Sequence, residues 1–98
     1  MQSKAYIDKV LIKVIRTGSV IIGSKNTIES VSDAKLVILA SNCPKDTKLK
    51  IEQSGTTILD YLGTNTELGA ACGKPFTIAA IAVMDEGESG IIDIASNG

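Results

Sequence analysis

The chain has 98 residues, a formal net charge of −1 and an apolar fraction of 44%. That length suits one folded unit burying roughly 60–65% of its unfolded surface, and the absence of histidine excludes histidine-containing zinc sites and histidine-based catalytic triads or dyads. The charge argues against a generally basic nucleic-acid binder, and the longest unbroken apolar run, Ile78–Met84, falls far short of the ~20 residues of a membrane-spanning helix.

In chain order, "SKAYIDKVLIKVIRTG" reads as a helix, because Tyr6/Ile7, Val10/Leu11 and Val14/Ile15 recur at three- and four-residue spacing. Ser3 suits its cap and Gly18 the residue just past its end. Lys9, Lys13 and Arg16 fall on the opposite face, which reads as solvated. "SVII" is a short β-branched strand stopping at Gly23. "SKNTIESV" is a short helix with Ser24 or Asn26 as its cap. "AKLVILA" is a continuous apolar strand of the kind buried on both faces. "SNCP" is a turn that places Pro44 at the first position of the helix "KDTKLKIEQS". "TTILDYL" is strand-like, and "GTNTELGAACG" is a turn followed by a short helix capped by Asn65 or Thr66. Glu67, in the first turn of that helix, reads as a capping partner. "FTIAAIAVM" is a strand with apolar residues on both faces, "DEGESG" an acidic turn, and "IIDI" a last short strand or a docked tail.

This alternation predicts an α/β fold: a three-layer α/β/α sandwich around a central four-stranded mixed sheet, with one domain over residues 1–98. The runs Leu36–Ala40 and Ile78–Val83 are expected as its inner strands. Loops after parallel strands gather on one rim, where such folds bind ligands; here these are Gly23–Thr27, Ser41–Pro44 and Gly63–Thr66. The helix at Thr66–Cys72 would be only ~10 Å long, whereas the next strand could reach ~26 Å. The last strand is therefore expected to run antiparallel from the same rim, adding Lys74, Pro75 and Phe76 to it.

Lys25, Asn42 and Asn65 are side chains able to read base edges or sugars, and Phe76 offers a face for stacking. No general base is apparent, so no catalytic residue, metal or cofactor is assigned. Residues 1–50 hold nine basic and four acidic groups, and residues 51–98 one basic and seven acidic; the asymmetry marks either a basic contact face or charges that intermingle once folded. Cys43 and Cys72 form no CxxC pair, and in a cytoplasmic protein they are expected to stay unbridged. Two alternatives from other classes stand beside the RNA reading. One is a redox protein using Cys43, whose thiol would have a lowered pKa near a helix start. The other is a protein-only interaction module using the acidic half.

"GSK" after a short strand, "AKLVILASNCP", "GTNTELGAACGKPFTIAAIAV" and "DEGES" together resemble the large-subunit ribosomal protein family L-thirty-e (L30e) of archaea and eukaryotes, within the wider L-seven-Ae (L7Ae) group of kink-turn binders. The likeness runs nearly end to end and is strongest from Gly63 to Ser89. It implies a monomeric, cytoplasmic, non-enzymatic protein of the large ribosomal subunit. Its partner would be rRNA containing a kink-turn, a sharp bend built on tandem sheared G·A pairs; a kink-turn binder outside the ribosome is the nearer alternative. The compact length and lack of basic tails fit an archaeal member. Carried over residue by residue, the start of the second helix, Gly23, Ser24, Lys25, Asn26 and Thr27, would meet the G·A pairs. Asn42, Cys43, Asn65 and Glu67 would come from the next two loops. Pro75, Phe76, Thr77 and Ile78 would pack around an extruded base. The chain departs from the family pattern at Asn26, where a small hydroxyl residue is expected, at Gly90, where a basic one is usual, and in a segment from Asn42 to Gly63 that is roughly one helical turn short.

Overall fold

A computed structural model describes residues 4–97, with side chains through residue 95. The first helix, α1 (Lys4–Thr17), buries Ile7, Val10, Leu11 and Val14, the stripe its spacing predicts. The Gly18 N–H closes its end onto the Val14 carbonyl at 2.8 Å. The Ser3 cap lies outside the described residues. Next come β1 (Ser19–Ile22), α2 (Ser24–Ser30), β2 (Leu36–Leu39), α3 (Lys45–Gln53), β3 (Ile58–Asp60), α4 (Asn65–Ala71), β4 (Ala80–Asp85) and α5 (Ile91–Asn97).

The four strands form one mixed sheet in the order β1-β4-β2-β3. Strand β4 runs antiparallel to both β1 and β2, while β2 and β3 are parallel. The two continuous apolar runs thus supply the inner strands, as expected, and the last strand starts at the expected rim. Register explains how the sheet is shared between its faces. Leu36 opposes Val83 and Ile38 opposes Ile81, and these four face the layer of α1, α4 and α5. Val37, Leu39 and Ala80 face the layer of α2 and α3, where Ile51 and Ile28 meet them. Each fully buried Leu, Ile or Val contributes about 1.5–3 kcal/mol by leaving water, so the inner strands with α1 carry most of the core.

Several local expectations need correction. "IIDI" is not a strand: it docks, as the second expectation had it, but as the opening of a helix, α5, with Ile91 fully buried and Ile92, Ile94 and Ala95 partly so against α1 and its neighbours. The spacing of Ile91, Ile94 and Ala95 is helical, and packing on that layer outweighs the β preference of isoleucine. Strand β4 begins at Ala80 rather than near Phe76, because the Ile78 N–H is taken by the Asn65 carbonyl and the chain stays on α4 until then. The caps fall earlier than expected. Gly23 precedes α2, Pro44 is the cap of α3 rather than its first residue, and Thr64 caps α4 in place of Asn65 or Thr66. Both cysteines are unbridged. No helix among the described residues is long and apolar enough to cross a membrane.

Candidate nucleic-acid interface

Hydrogen bonds tie four segments into one rim. The Gly23 N–H donates to the Ala80 carbonyl at 3.0 Å, Ala40 to Ala79 at 2.9 Å, Ser41 to Gly63 at 2.9 Å and Ile78 to Asn65 at 3.0 Å. The loops after β1, β2 and β3 are thereby joined to the segment entering β4. Asn42 adds a side-chain clamp: its Oδ1 accepts from the Asn65 N–H at 2.8 Å while its Nδ2 donates to Asn65 Oδ1 at 3.1 Å.

Gly23 opens the rim at φ 109° and ψ 148°, a conformation essentially confined to glycine. A Cβ there would meet only Asn26 Nδ2, at 3.9 Å, so backbone geometry demands the glycine and the space above it is open. Lys25 and Asn26 are exposed and Ser24 is half-buried. Asn26 Nδ2 donates to the Ile22 carbonyl at 3.4 Å. Thr27 is fully buried, its hydroxyl donating to the Ile21 carbonyl at 3.4 Å.

On the far side of the rim, α4 begins with a reciprocal cap. Thr64 Oγ1 accepts from the Glu67 N–H at 3.4 Å, and Glu67 Oε1 accepts from the Thr64 N–H at 3.1 Å. That backbone donor, with Lys4 nearby, holds the Glu67 carboxyl below its usual range. Gly69, on the inner side of α4, lets the following segment lie directly on the helix: a Cβ there would fall 2.0 Å from the Phe76 carbonyl oxygen. The Phe76 backbone is thus fixed while its ring stays 54% exposed, and Pro75 and Thr77 beside it are exposed too. Ile78 turns inward and is buried.

Two features went unanticipated in the sequence. Leu62 is 61% exposed in the rim loop after β3, the most exposed large apolar side chain among the described residues. The strand alternation could have found it, since Asp60 and Leu62 face out on either side of buried Tyr61. Below this loop Tyr61 donates to Asp8 Oδ1 at 2.5 Å, and Lys4 lies 3.0 Å from Asp8 Oδ2 and 3.7 Å from Glu67 Oε2. This network ties the start of α1 to the start of α4. Burial, then the Asp8 bond, pushes the Tyr61 hydroxyl up to about 12, and the Asp8 bond raises the Lys4 ammonium.

Residues 5–93 match the model of the Ribosomal protein L7Ae/L30e/S12e/Gadd45 family. The chain belongs to this family. It is 51% identical over 94 residues to the Large ribosomal subunit protein eL30 of Methanosarcina mazei, covering 94% of this chain and 91% of the relative. The protein of the same name from Archaeoglobus fulgidus is 46% identical over 82% of this chain and 95% of its own length. A third, from Methanothermobacter thermautotrophicus, is 43% identical over 90% of this chain and 96% of the relative. These names are those of ribosomal proteins and not of enzymes, in line with the lack of an assignable catalytic residue.

Within this L7Ae/L30e member, all thirteen expected site residues lie in or beside the stitched rim, but their side chains divide. Lys25, Asn26, Asn42, Pro75, Phe76 and Thr77 are exposed, and Ser24, Cys43 and Asn65 are half-buried. Thr27 and Ile78 are buried, and Glu67 is occupied by its cap. The redox alternative at Cys43 needed a lowered pKa. Its thiol is instead raised, because burial outweighs the opposing charge of Lys48, which runs against that alternative.

Proposed function

We propose that this chain is a constituent of the large ribosomal subunit that grips a kink-turn of rRNA through the stitched rim, working in the cytoplasm as a one-domain protein that is monomeric when free. The names of its relatives support the ribosomal part of this reading. One observation carries the rest: an edge tied by hydrogen bonds presents an exposed aromatic ring, Phe76, and an exposed apolar side chain, Leu62, beside the polar donors Lys25, Asn26 and Asn42. An acidic protein cannot hold RNA by diffuse attraction. It needs a site in which unstacked bases meet apolar surface and base edges meet fixed donors, which is how structured RNA is read.

In this reading the backbone at Gly23 lets the RNA approach closely and Lys25 supplies charge and donors at the sheared G·A pairs. Asn42 serves mainly by holding the Asn65 loop. Phe76 and Leu62 take the extruded base. Glu67 acts through its cap, Thr27 through its anchor to β1, and Ile78 through the core, so these three position the loops rather than touch RNA with their side chains.

Phe76→Ala tests the assignment. Because the ring is more than half exposed, the melting temperature should hardly move, while kink-turn affinity should weaken by ~1–3 kcal/mol, the scale of a missing base–aromatic stack. A large drop in melting temperature with unchanged affinity of the folded protein would contradict it.

A further inference from the structure

The outer face of α1 is a second charged surface, distinct from the rim. Lys9, Lys13 and Arg16 are all exposed there. At 3.6 residues per turn they fall within roughly 60° of one another and span ~10 Å along the axis. The only acid on α1, Asp8, is bonded to Lys4 and Tyr61. None of the three cations has an ion pair among the described residues. Helices α2 and α3, by contrast, carry their cations among acids. On α3, Lys48 pairs with Asp60 at 3.9 Å, and Asp46 and Glu52 lie among its lysines. On α2, Lys25 shares its helix with Glu29.

Position adds a second argument. Helix α1 starts at the rim, where Lys4 reaches Glu67, and runs away from it for ~21 Å. Beside its far half lies a groove of about 250 Å³, whose lining includes Ile12, Ile15, Arg16, Ala70, Ala71 and Cys72. The row ends where the acidic turn after β4 closes on α1, the Glu88 N–H donating to Thr17 Oγ1 at 3.0 Å; up to there a run of one sign with an apolar strip alongside fits the regular charges and sugar edge of a nucleic-acid backbone.

We infer that the Lys9–Lys13–Arg16 face of α1 is a second RNA contact, binding the phosphate backbone of a stem that leaves the rim. This rests on the rim reading above. The contact adds affinity and salt dependence without base preference, because phosphates carry no sequence information.

The test compares wild type with the triple variant Lys9→Gln, Lys13→Gln, Arg16→Gln on two RNAs: one kink-turn with short stems, and the same kink-turn with both stems lengthened by a helical turn. Affinity is measured across a salt series. Wild type should show the steeper salt dependence on the long-stem RNA. The variant should lower that slope by about two to three units, close to one for each phosphate that is no longer neutralised, and should match wild type on the short-stem RNA. A second variant, Lys9→Arg with Lys13→Arg, should keep the wild-type slope. Thermal melts of both should coincide with wild type.

Equal slopes for wild type and the triple variant on the long-stem RNA would overturn the inference while leaving the rim reading intact. Equal losses on both RNAs would also overturn it. A wild type that prefers neither RNA over a plain duplex would overturn the rim reading itself, and with it the placement of a stem along α1.

Discussion

Gly23 is where a single residue decides whether the rim can form. Its φ of 109° lies where a side chain is strained even though no atom crowds the position. Gly23→Ala should therefore cost on the order of 1–3 kcal/mol, read as a fall in the denaturant midpoint with an unchanged slope. Lys25, two residues on, is the opposite case: exposed, with no ion pair among the described residues. Lys25→Ala should move stability by no more than ~0.5 kcal/mol while weakening kink-turn binding far more than binding to plain duplex. On a short-stem kink-turn, Lys9→Ala and Lys13→Ala should change affinity only slightly. Equal losses at Lys9 and Lys25 on that RNA, with no preference for the kink, would remove Lys25 from the site. Both Gly23 and Lys25 were readable in "GSKNTIESV", because backbone permissiveness and charge are properties of the residue type. That Thr27 is anchored to Ile21 and that the Ile78 N–H bonds Asn65 was not readable, since each depends on what the fold brings alongside.

Among the elements, legibility followed the strength of the periodic signal. Helix α1 repeats its apolar pairs over three turns and the inner strands are unbroken, so each has one economical burial. Helix α5 has too few residues for a period to stand out, and its isoleucines suit a strand as well as a helix until α1 is packed against them. At α4 the cap slipped because Thr64, Asn65 and Thr66 stand in succession and only geometry selects among them; at α2 and α3 the caps are Gly23 and Pro44, which offer no capping side chain to read. The network joining α1 to α4 is wholly tertiary, since Asp8 and Tyr61 are 53 residues apart, and it makes a pH prediction. Tyr61 rises to about 12 from an ordinary 10.0, and Lys4 is also raised. The folded state therefore holds protons that the unfolded chain releases first. This contribution is fully present below about pH 10 and is lost as pH climbs from there toward 12. Melting temperature between pH 9 and 12 should fall more steeply for wild type than for Tyr61→Phe; parallel curves would mean that the network does not couple to stability.

At the level of the whole molecule, charge and function need not agree in sign. The net charge is −1, and the acidic turn over residues 86–90 follows the far end of β4, away from the rim. Among the described residues Lys35, Lys45, Lys50 and Lys74 also lack ion pairs, but the proposed contacts fall at Lys25 and along α1. An RNA that touched only these surfaces would meet a locally positive protein, while the remaining surface would repel unspecific contacts. Such a protein should discriminate by shape rather than by charge. The direct measurement is a gel shift of the wild-type chain against a kink-turn RNA and a plain duplex of equal length, both at the same near-physiological salt. A complex with the kink-turn at concentrations where the duplex stays free is the expected result; equal affinity for the two would contradict the account.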